Sequence, residues 1–430
     1  MSNQIEFVTY ILSNIDGFNN LVQGKPNSPK TLKLNNIIVK DFSTNNYKMV
    51  NYDKTLLSVH LISTYGLCRS VIFNSENKVV CFAPPKSTHT DSFITKYSLD
   101  DVSVVAEEFV EGTMINVFWD KTIGDNGGWE IATRNSVSAN YAFYQYSAKH
   151  TFRSMFQEAC KENNLILENL NKNYCYSFVL QHPKNRIVVP FKKPNLYLVA
   201  VYSFEHDEYN DCDYFDKIIV HSVVLDKIEA SNLQYFGLEN ANIQFPKKYT
   251  DCKNYTELIE KYASMNTPYN VVGVVIYNRN TGERTKIRNP AYEQVRQLRG
   301  NQPKLQYQYL YLRNQGKIAD FLKYFPENKP NFSEFRDQVH LFTNTLFSNY
   351  ISCYIKKEKP LIEYPEQYRT HMFNLHRKYL NDLKEKKQFI TNTVVKQFVN
   401  ELHPSLLMYS LNYPLRKRYV DSLKCEDIQP

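Results

Sequence analysis

Six short segments hold the side chains whose types and spacing could do chemistry. Tyr65-Gly66-Leu67-Cys68-Arg69-Ser70-Val71-Ile72-Phe73 leads to Val79-Val80-Cys81-Phe82-Ala83-Pro84-Pro85-Lys86. This is an arginine at a strand start, a hairpin, and a return strand ending in Pro-Lys. Glu111-Gly112-Thr113 follows the apolar-edged Glu107-Glu108-Phe109-Val110, and Trp129-Glu130-Ile131-Ala132-Thr133-Arg134-Asn135 is a strand ending in a polar turn. The remaining three are Tyr176–Val189, with Pro183-Lys184-Asn185-Arg186-Ile187-Val188 inside it, Val272-Gly273-Val274-Val275-Ile276-Tyr277, and Thr285-Lys286-Ile287-Arg288 before a helix. Their cations, Arg69, Lys86, Arg134, Lys286 and Arg288, are the side chains that bind phosphate oxygens. Singly, each segment also suits an ordinary hairpin or a charged surface, so the information lies in their order and company.

Other chemistries are poorly supplied. There is neither GxxxxGK[ST] nor GxGxxG, and glycine is scarce at 12 residues, which argues against a Gly-rich phosphate loop. The eight cysteines (68, 81, 160, 175, 212, 252, 353, 425) form no CxxC pair. They read as reduced thiols, not a disulfide frame or a zinc site. His60, His89, His150 and His182 could each act as a base, but none has metal-ligand spacing. Tyr307, Tyr309 and Tyr311 could stack bases, although tyrosines set among Leu305, Leu310 and Leu312 also suit a core. Lys356-Lys357-Glu358-Lys359 and Arg416-Lys417-Arg418 are candidate phosphate contacts.

The elements that must position these groups change character along the chain. Residues 1–30 read as a helix followed by a loop marked by Gly24, Pro26, Asn27 and Pro29. From residue 34 to 290 strand signals dominate, at Leu56–Ser63, Ser70–Ala83, Val102–Ala106, Thr113–Trp119, Trp129–Thr133, Tyr174–Leu180, Arg186–Pro190, Leu196–Phe204, Ile218–Val224 and Val271–Asn278. Helices are expected near His150–Asn163 and Tyr255–Ala263. After Pro290 come amphipathic helices at Ala291–Leu298, Lys317–Tyr324, Phe332–Ile355, Pro365–Lys384 and Phe389–Leu402. The reading is an α+β domain over 1–290 followed by an all-helical domain over 291–430.

Charge follows the same division. Residues 1–290 carry 30 Lys/Arg and 30 Asp/Glu, whereas residues 291–430 carry 22 and 14, so the whole net charge of +8 sits in the helical part. A basic module beside a neutral one suits a polyanion partner. A lysine-rich solvated helical surface has the same signature. No basic n-region with an apolar h-region follows Met1, and no run of 18 apolar residues occurs, so neither secretion nor a membrane span is expected.

Taken in this order over roughly residues 40–300, the segments resemble the RNA ligase family typified by the T-even phage RNA ligase 1, and more closely its relatives in large DNA viruses. The Pro-x-Asn-Arg-Ile-Val block is the most specific match. The resemblance implies a nucleotidyltransferase (ATP-grasp-like ligase) domain of antiparallel sheets around an ATP pocket, with a C-terminal all-helical domain. It implies RNA or nucleotide as partner, and ATP and magnesium as cofactors if the enzyme is active. Carried over by position, Arg69, Lys86, Arg134, Lys286 and Arg288 contact nucleotide or RNA phosphates, and Glu111, within Glu111-Gly112-Thr113, contacts the ribose.

This chain departs from the pattern at three positions. The family's nucleophile is a lysine two residues before the acid of its Lys-x-Asp/Glu-Gly loop. Its deprotonated amine attacks an α-phosphate and holds it as a phosphoramidate. Here that residue is Phe109, and no lysine lies between Lys96 and Lys121. The carboxylate expected four residues before Pro183 is Val179, and the Glu of Glu-Gly-Val-Val is Val272. The expectation is an RNA-ligase-like protein of an infected host cell or virion, catalytically degenerate, binding RNA ends or nucleotide with no certain cofactor. Two alternatives stay open. One is an active ATP-dependent ligase that uses a displaced lysine, Lys86 or Lys286; the other is an interaction protein with a vestigial pocket.

Overall fold

The computed structural model describes residues 5–18, 31–34, 37–42, 46–143, 150–207, 217–225 and 230–418. The chain is α+β, with antiparallel sheets followed by helices. It divides into a strand-rich unit running to Gln294 and a helical unit from Val295 onward.

The strand-rich unit holds three sheets. The largest has the order β1 (Phe7–Ile11), β13 (Lys217–Val223), β12 (Asn195–Asp207), β11 (Cys175–Gln181), β8 (Thr113–Asp120), β9 (Gly128–Thr133) and β10 (Ser136–Val137). The second is β2 (Thr31–Leu34), β3 (Ile37–Phe42), β4 (Tyr47–Tyr52), β5 (Val71–Phe73) and β6 (Val79–Phe82). The third is β15 (Arg284–Arg288), β14 (Gly273–Asn278) and β7 (Val104–Glu108), and every pairing in the three sheets is antiparallel.

Alternation along the strands sets what each face buries. Phe118, Ala200 and Tyr202 of the large sheet pack with Phe73 and Phe82 of the second, and the Phe82 and Tyr202 rings meet edge-on at 4.9 Å. The opposite face carries Val117, Phe178 and Leu198 against Met155 and Phe156 of α2 (Phe152–Glu162), which Thr151 caps by accepting from the Ser154 N–H. In the third sheet Val104, Ala106, Val274 and Ile276 pack against Phe93 of α1 (Thr90–Lys96) and Leu258 of α3 (Tyr255–Tyr262). Burying each of these rings and branched chains stabilises the unit by about 1.5–3 kcal/mol. With that face filled, the other face of β15 presents Arg284, Lys286 and Arg288.

The helical unit follows α4 (Pro290–Arg299) with α5 (Leu305–Asn314), α6 (Ile318–Tyr324), α7 (Lys329–Tyr350), α8 (Glu366–Lys378), α9 (Asn392–Glu401) and α10 (Pro404–Leu411). Phe321 stacks on Phe332 at 4.9 Å, and Tyr309 meets Phe332 edge-on at 5.1 Å. Tyr309 is therefore a core residue, whereas Tyr311 is exposed. Two helices end in π turns, α7 through Ile351–Ile355 and α8 through Tyr379–Leu383. The described helices match the seven expected after residue 150, five of them beyond Pro290, and add α1, α5 and α10.

Three expectations are corrected. Leu56–Ser63 is not a strand but a run of turns around a 3-10 turn at Val59–Leu61. The Asp53 carbonyl accepts from the Leu56 and Leu57 N–H groups and the Ser58 carbonyl from Leu61, so these donors are lost to any ladder. Arg186–Pro190, despite its apolar run, is an irregular loop whose Val188 and Val189 N–H groups donate to the Glu111 carboxylate. The helix expected within residues 1–30 is replaced, where described, by β1, which pairs with β13 from Phe7↔Val223 to Ile11↔Ile219; residues 1–4 and 19–30 lie outside the described residues.

The six described cysteines are free thiols, and Cys68, Cys81, Cys160 and Cys175 are buried; Cys212 and Cys425 lie outside the described residues. No described helix is long and apolar enough to cross a membrane.

Candidate functional site

The five cations singled out in the sequence line one cleft of about 700 Å³ in the strand-rich unit. Arg69 comes from the turn before β5, Lys86 from the segment after β6, Arg134 from the turn after β9, and Lys286 and Arg288 from β15. Lys54, Tyr52 and the hydroxyl-bearing Ser87, Thr88 and Thr90 complete the wall with Leu57 and His89. No Asp or Glu is among the residues that line it.

A few internal contacts aim these side chains. The buried Asn51 amide donates to the Arg69 carbonyl at 2.8 Å and to the Arg134 carbonyl at 3.2 Å, tying two distant turns together. Arg134 donates to the Tyr52 hydroxyl at 2.9 Å, and its Nε is buried without a partner. Arg69 donates to the Pro84 carbonyl at 3.2 Å. Lys86 is held through its backbone, which donates to the Gly66 carbonyl at 2.9 Å. Arg288 pairs with Glu293 at 2.9 Å on the exposed side.

The electrostatics follow from crowding cations without acids. Burial, then Arg284 and Arg134, lower the Arg69 guanidinium to about 10. Burial, then Arg69 and Arg134, lower Lys86. Lys286 is affected most: burial, then Arg284, Arg69, Arg288 and Lys86, push it down to about 5. At neutral pH its amine is therefore uncharged. Its nitrogen sits 4.7 Å from the centre of the Phe109 ring, and the Arg288 guanidinium 5.5 Å from it. Phe109 itself is anchored by its N–H, which donates to the Gly273 carbonyl at 3.1 Å.

Glu111, Gly112 and Thr113 do not line this cleft. The buried Glu111 carboxylate accepts from the Val188 and Val189 N–H groups at 3.2 and 3.0 Å. Its proton affinity is raised by burial, against the lowering effect of Tyr292, those two amides and Arg186. Thr113 accepts from the Asn185 amide at 2.9 Å. Together Glu111 and Thr113 stitch the start of β8 to the Pro183–Val189 loop. Glu111→Ala is expected to leave both amides unsatisfied and destabilise the unit by about 2–3 kcal/mol, whereas Glu111→Gln keeps an acceptor and much of the stability. Thermal melts of the two variants test this difference.

Val179 and Val272 are buried. Val179 sits in the β11 ladder opposite Met114 and Tyr197, and the Val272 carbonyl accepts from the Asn289 N–H at 2.9 Å. A magnesium ion needs several oxygen ligands. With no carboxylate on the cleft wall, and no cluster of three metal-ligating side chains among the described residues, these residues do not fit one.

A second, more enclosed cavity of about 370 Å³ lies on the same face of the third sheet. Val275, Tyr277 and Arg284 line it from that sheet, and Tyr202 and Ala200 from β12. Arg284 and Pro85 line this cavity, while Lys286 and Lys86 line the cationic cleft, so the two spaces adjoin along β15 and the Pro85-Lys86 step. Lys54, Tyr52, Asn51 and Arg284 escaped the sequence reading; only the alternation of Arg284 with Lys286 and Arg288 could have signalled one of them. The four histidines are scattered by comparison. His182 contacts Glu158 at 3.0 Å, and only His89 reaches the cleft.

No protein-family profile matches the chain. It is 25% identical over 301 residues to an RNA ligase of Rhodothermus phage RM378, an alignment covering 63% of this chain and 64% of that one. The chain thus spans a little under two thirds of the length of that curated relative. Among solved structures it is similar to Naegleria gruberi RNA ligase. One variant with ATP and manganese matches at a TM-score of 0.29 and 12% identity over 45% of this chain and 51% of that one. Another, with AMP and manganese, matches at a TM-score of 0.33 and 12% identity over 50% and 57%. In sequence, then, this chain is similar to a phage RNA ligase.

Proposed function

We propose that this chain is an RNA-ligase-like recognition protein that binds the phosphates of an RNA end or a nucleotide and does not adenylylate itself. One observation carries the reading: Arg69, Lys86, Arg134, Lys286 and Arg288 converge on a cleft without carboxylates, and a phenyl ring stands where the family's nucleophilic amine is expected. The four cations Arg69, Lys86, Arg134 and Arg288, set around an amine whose proton affinity they help to lower, call for a multiply charged anion. The adjoining cavity offers apolar and aromatic walls to a base. The strand-rich residues 1–290 would act as the nucleotidyltransferase-like part and residues 291–430 as a basic appendage. On this reading the protein would act in an infected host cell or in a virion, and its similarity to a phage RNA ligase supports that setting.

A second reading has its own support. Lys286 is uncharged at neutral pH and close to Phe109, so it could serve as a displaced nucleophile in an active ligase using ATP and magnesium. Incubation with α-labelled ATP or GTP and magnesium, followed by denaturation, separates the two. No retained label is expected; a label lost in Lys286→Ala would establish the second reading. Binding of a 5′-phosphorylated RNA should weaken at least tenfold in Arg69→Ala and in Lys286→Ala. Binding indifferent to both would leave an interaction protein with a vestigial pocket.

A further inference from the structure

The helical unit carries a surface that the cleft does not account for. Both long helices, α7 and α8, end by widening into a π turn, closed by Lys356 N–H to the Ile351 carbonyl and Lys384 N–H to the Tyr379 carbonyl, each at 2.9 Å. Such insertions disturb regular side-chain spacing, and they recur at functional sites. Here they accompany a run of rings. His376 stacks on Tyr354 with centroids 4.0 Å apart and planes 13° apart, and Tyr379 continues the stack at 6.0 Å and 29°. Tyr350 lies beneath, its hydroxyl 3.4 Å from His376 Nδ1, and is fully buried.

Tyr354, His376 and Tyr379 are each half-exposed, unlike Tyr350. Burial lowers the proton affinity of His376, which favours the uncharged imidazole in this ring cluster. Around it the chain is basic. Residues 351–359 and 376–387 hold eight Lys or Arg against three Asp or Glu. Glu358 pairs with Lys356 at 3.5 Å and accepts from Ser352, and Lys378 reaches Glu401 at 3.4 Å. Lys357, held at a positive φ of 56°, and Lys384 have no acidic partner among the described residues. Stacked rings with part of their area in water, bordered by unpaired lysines, match the two halves of a single-stranded nucleic acid: base faces and phosphates.

We propose that the paired π turns of α7 and α8 form a binding platform for single-stranded RNA, in which a base continues the Tyr354–His376–Tyr379 stack and the lysines contact the flanking phosphates. A duplex keeps its base faces covered and cannot use the stack. This site needs neither a terminal phosphate nor the cationic cleft, and it stands whether or not the cleft binds a ligand.

The test uses the full chain and a fluorescein-labelled oligouridylate with hydroxyl ends, followed by anisotropy across a salt series. Tyr354→Leu is expected to weaken binding about tenfold, within the range set by losing one stacked base; Tyr354→Phe should bind as the unchanged protein does. Lys357→Ala with Lys384→Ala should also weaken binding and lower the salt slope by about one to two. Lys161→Ala, an exposed lysine of α2, should leave binding of this probe unchanged. A 2-aminopurine placed in the strand should be quenched on binding, and the quench should be lost in Tyr354→Leu. Matching melting curves for the Leu and Phe variants secure the comparison, and the lysine pair provides a readout that leaves the packed rings intact. Equal affinity for a duplex, or an unchanged affinity and quench in Tyr354→Leu, would overturn the proposal. So would a loss of binding in Lys161→Ala that matches the loss in Tyr354→Leu.

Discussion

Gly273→Ala is expected to destabilise the strand-rich unit by about 4 kcal/mol or more, the range reached when a methyl group collides with fixed backbone. Gly273 has a φ of +134°, and a Cβ there would lie 2.1 Å from the Ile287 carbonyl oxygen and 2.9 Å from the Arg288 Cα. Neither atom belongs to a flexible side chain, so β14 and β15 must part. That separation breaks the pairing of Gly273 with Arg288 and disturbs the carbonyl that receives the Phe109 N–H. In a unit of this size the cost corresponds to a fall in Tm of about 10 °C, readable by circular dichroism. Gly124→Ala is the control. It also has a positive φ, 57°, but nothing within 4 Å of the added carbon, so its cost should stay near 1 kcal/mol. Equal losses in the two variants would show that backbone conformation alone, and not the close approach, fixes Gly273.

Lys286→Met is expected to change how stability depends on pH. The folded chain holds the Lys286 amine at about 5, against an ordinary value of 10.5. Between those pH values the unfolded chain binds one more proton than the folded chain at this position. Stability therefore rises with pH across that window and falls as pH drops toward 5, by up to about 1.4 kcal/mol per pH unit from this group. Partial exposure to solvent makes this an upper bound. Methionine fills similar volume, carries no proton and can keep contact with Phe109. The variant should be more stable than the unchanged protein at pH 6, with the two curves converging as pH rises toward 10.5. Tripolyphosphate should flatten the slope of the unchanged protein, because an anion in the cleft raises the amine's proton affinity. Parallel pH profiles for the two proteins, measured by urea unfolding, would refute the neutral-amine description of Lys286.

The division into strand-rich and helical parts was legible because its signals are local. Alternating Val, Ile, Tyr and Phe need only their own strand to announce themselves, and the amphipathic repeats after Pro290 likewise. The cationic positions were legible for another reason, the order of Arg69, Lys86, Arg134, Lys286 and Arg288 along the chain. What escaped depends on contacts far apart in sequence. Arg186–Pro190 has a strand's composition, yet its amides go to Glu111, 77 and 78 residues away. Phe7–Ile11 is a strand only because β13, more than 200 residues later, supplies its partner. The acid of Glu111-Gly112-Thr113 invited a role at a ligand, and its side chain is instead occupied inside the protein. The π turns escaped because each simply continues a helix in sequence, with the extra residue per turn visible only in the hydrogen bonds.

Asn51 gives the cleft a property of its own. One buried amide holds the carbonyls of both Arg69 and Arg134, so the two guanidinium groups are spaced by a brace behind them, although each repels the other in front. Arginines kept apart by an incoming anion alone would drift outward in its absence and have to be gathered on each encounter. Arginines braced from within meet the anion already in position. Association should then approach the speed of electrostatically steered diffusion and slow steeply with added salt, while removing the brace by Asn51→Leu should slow capture even though every charge remains.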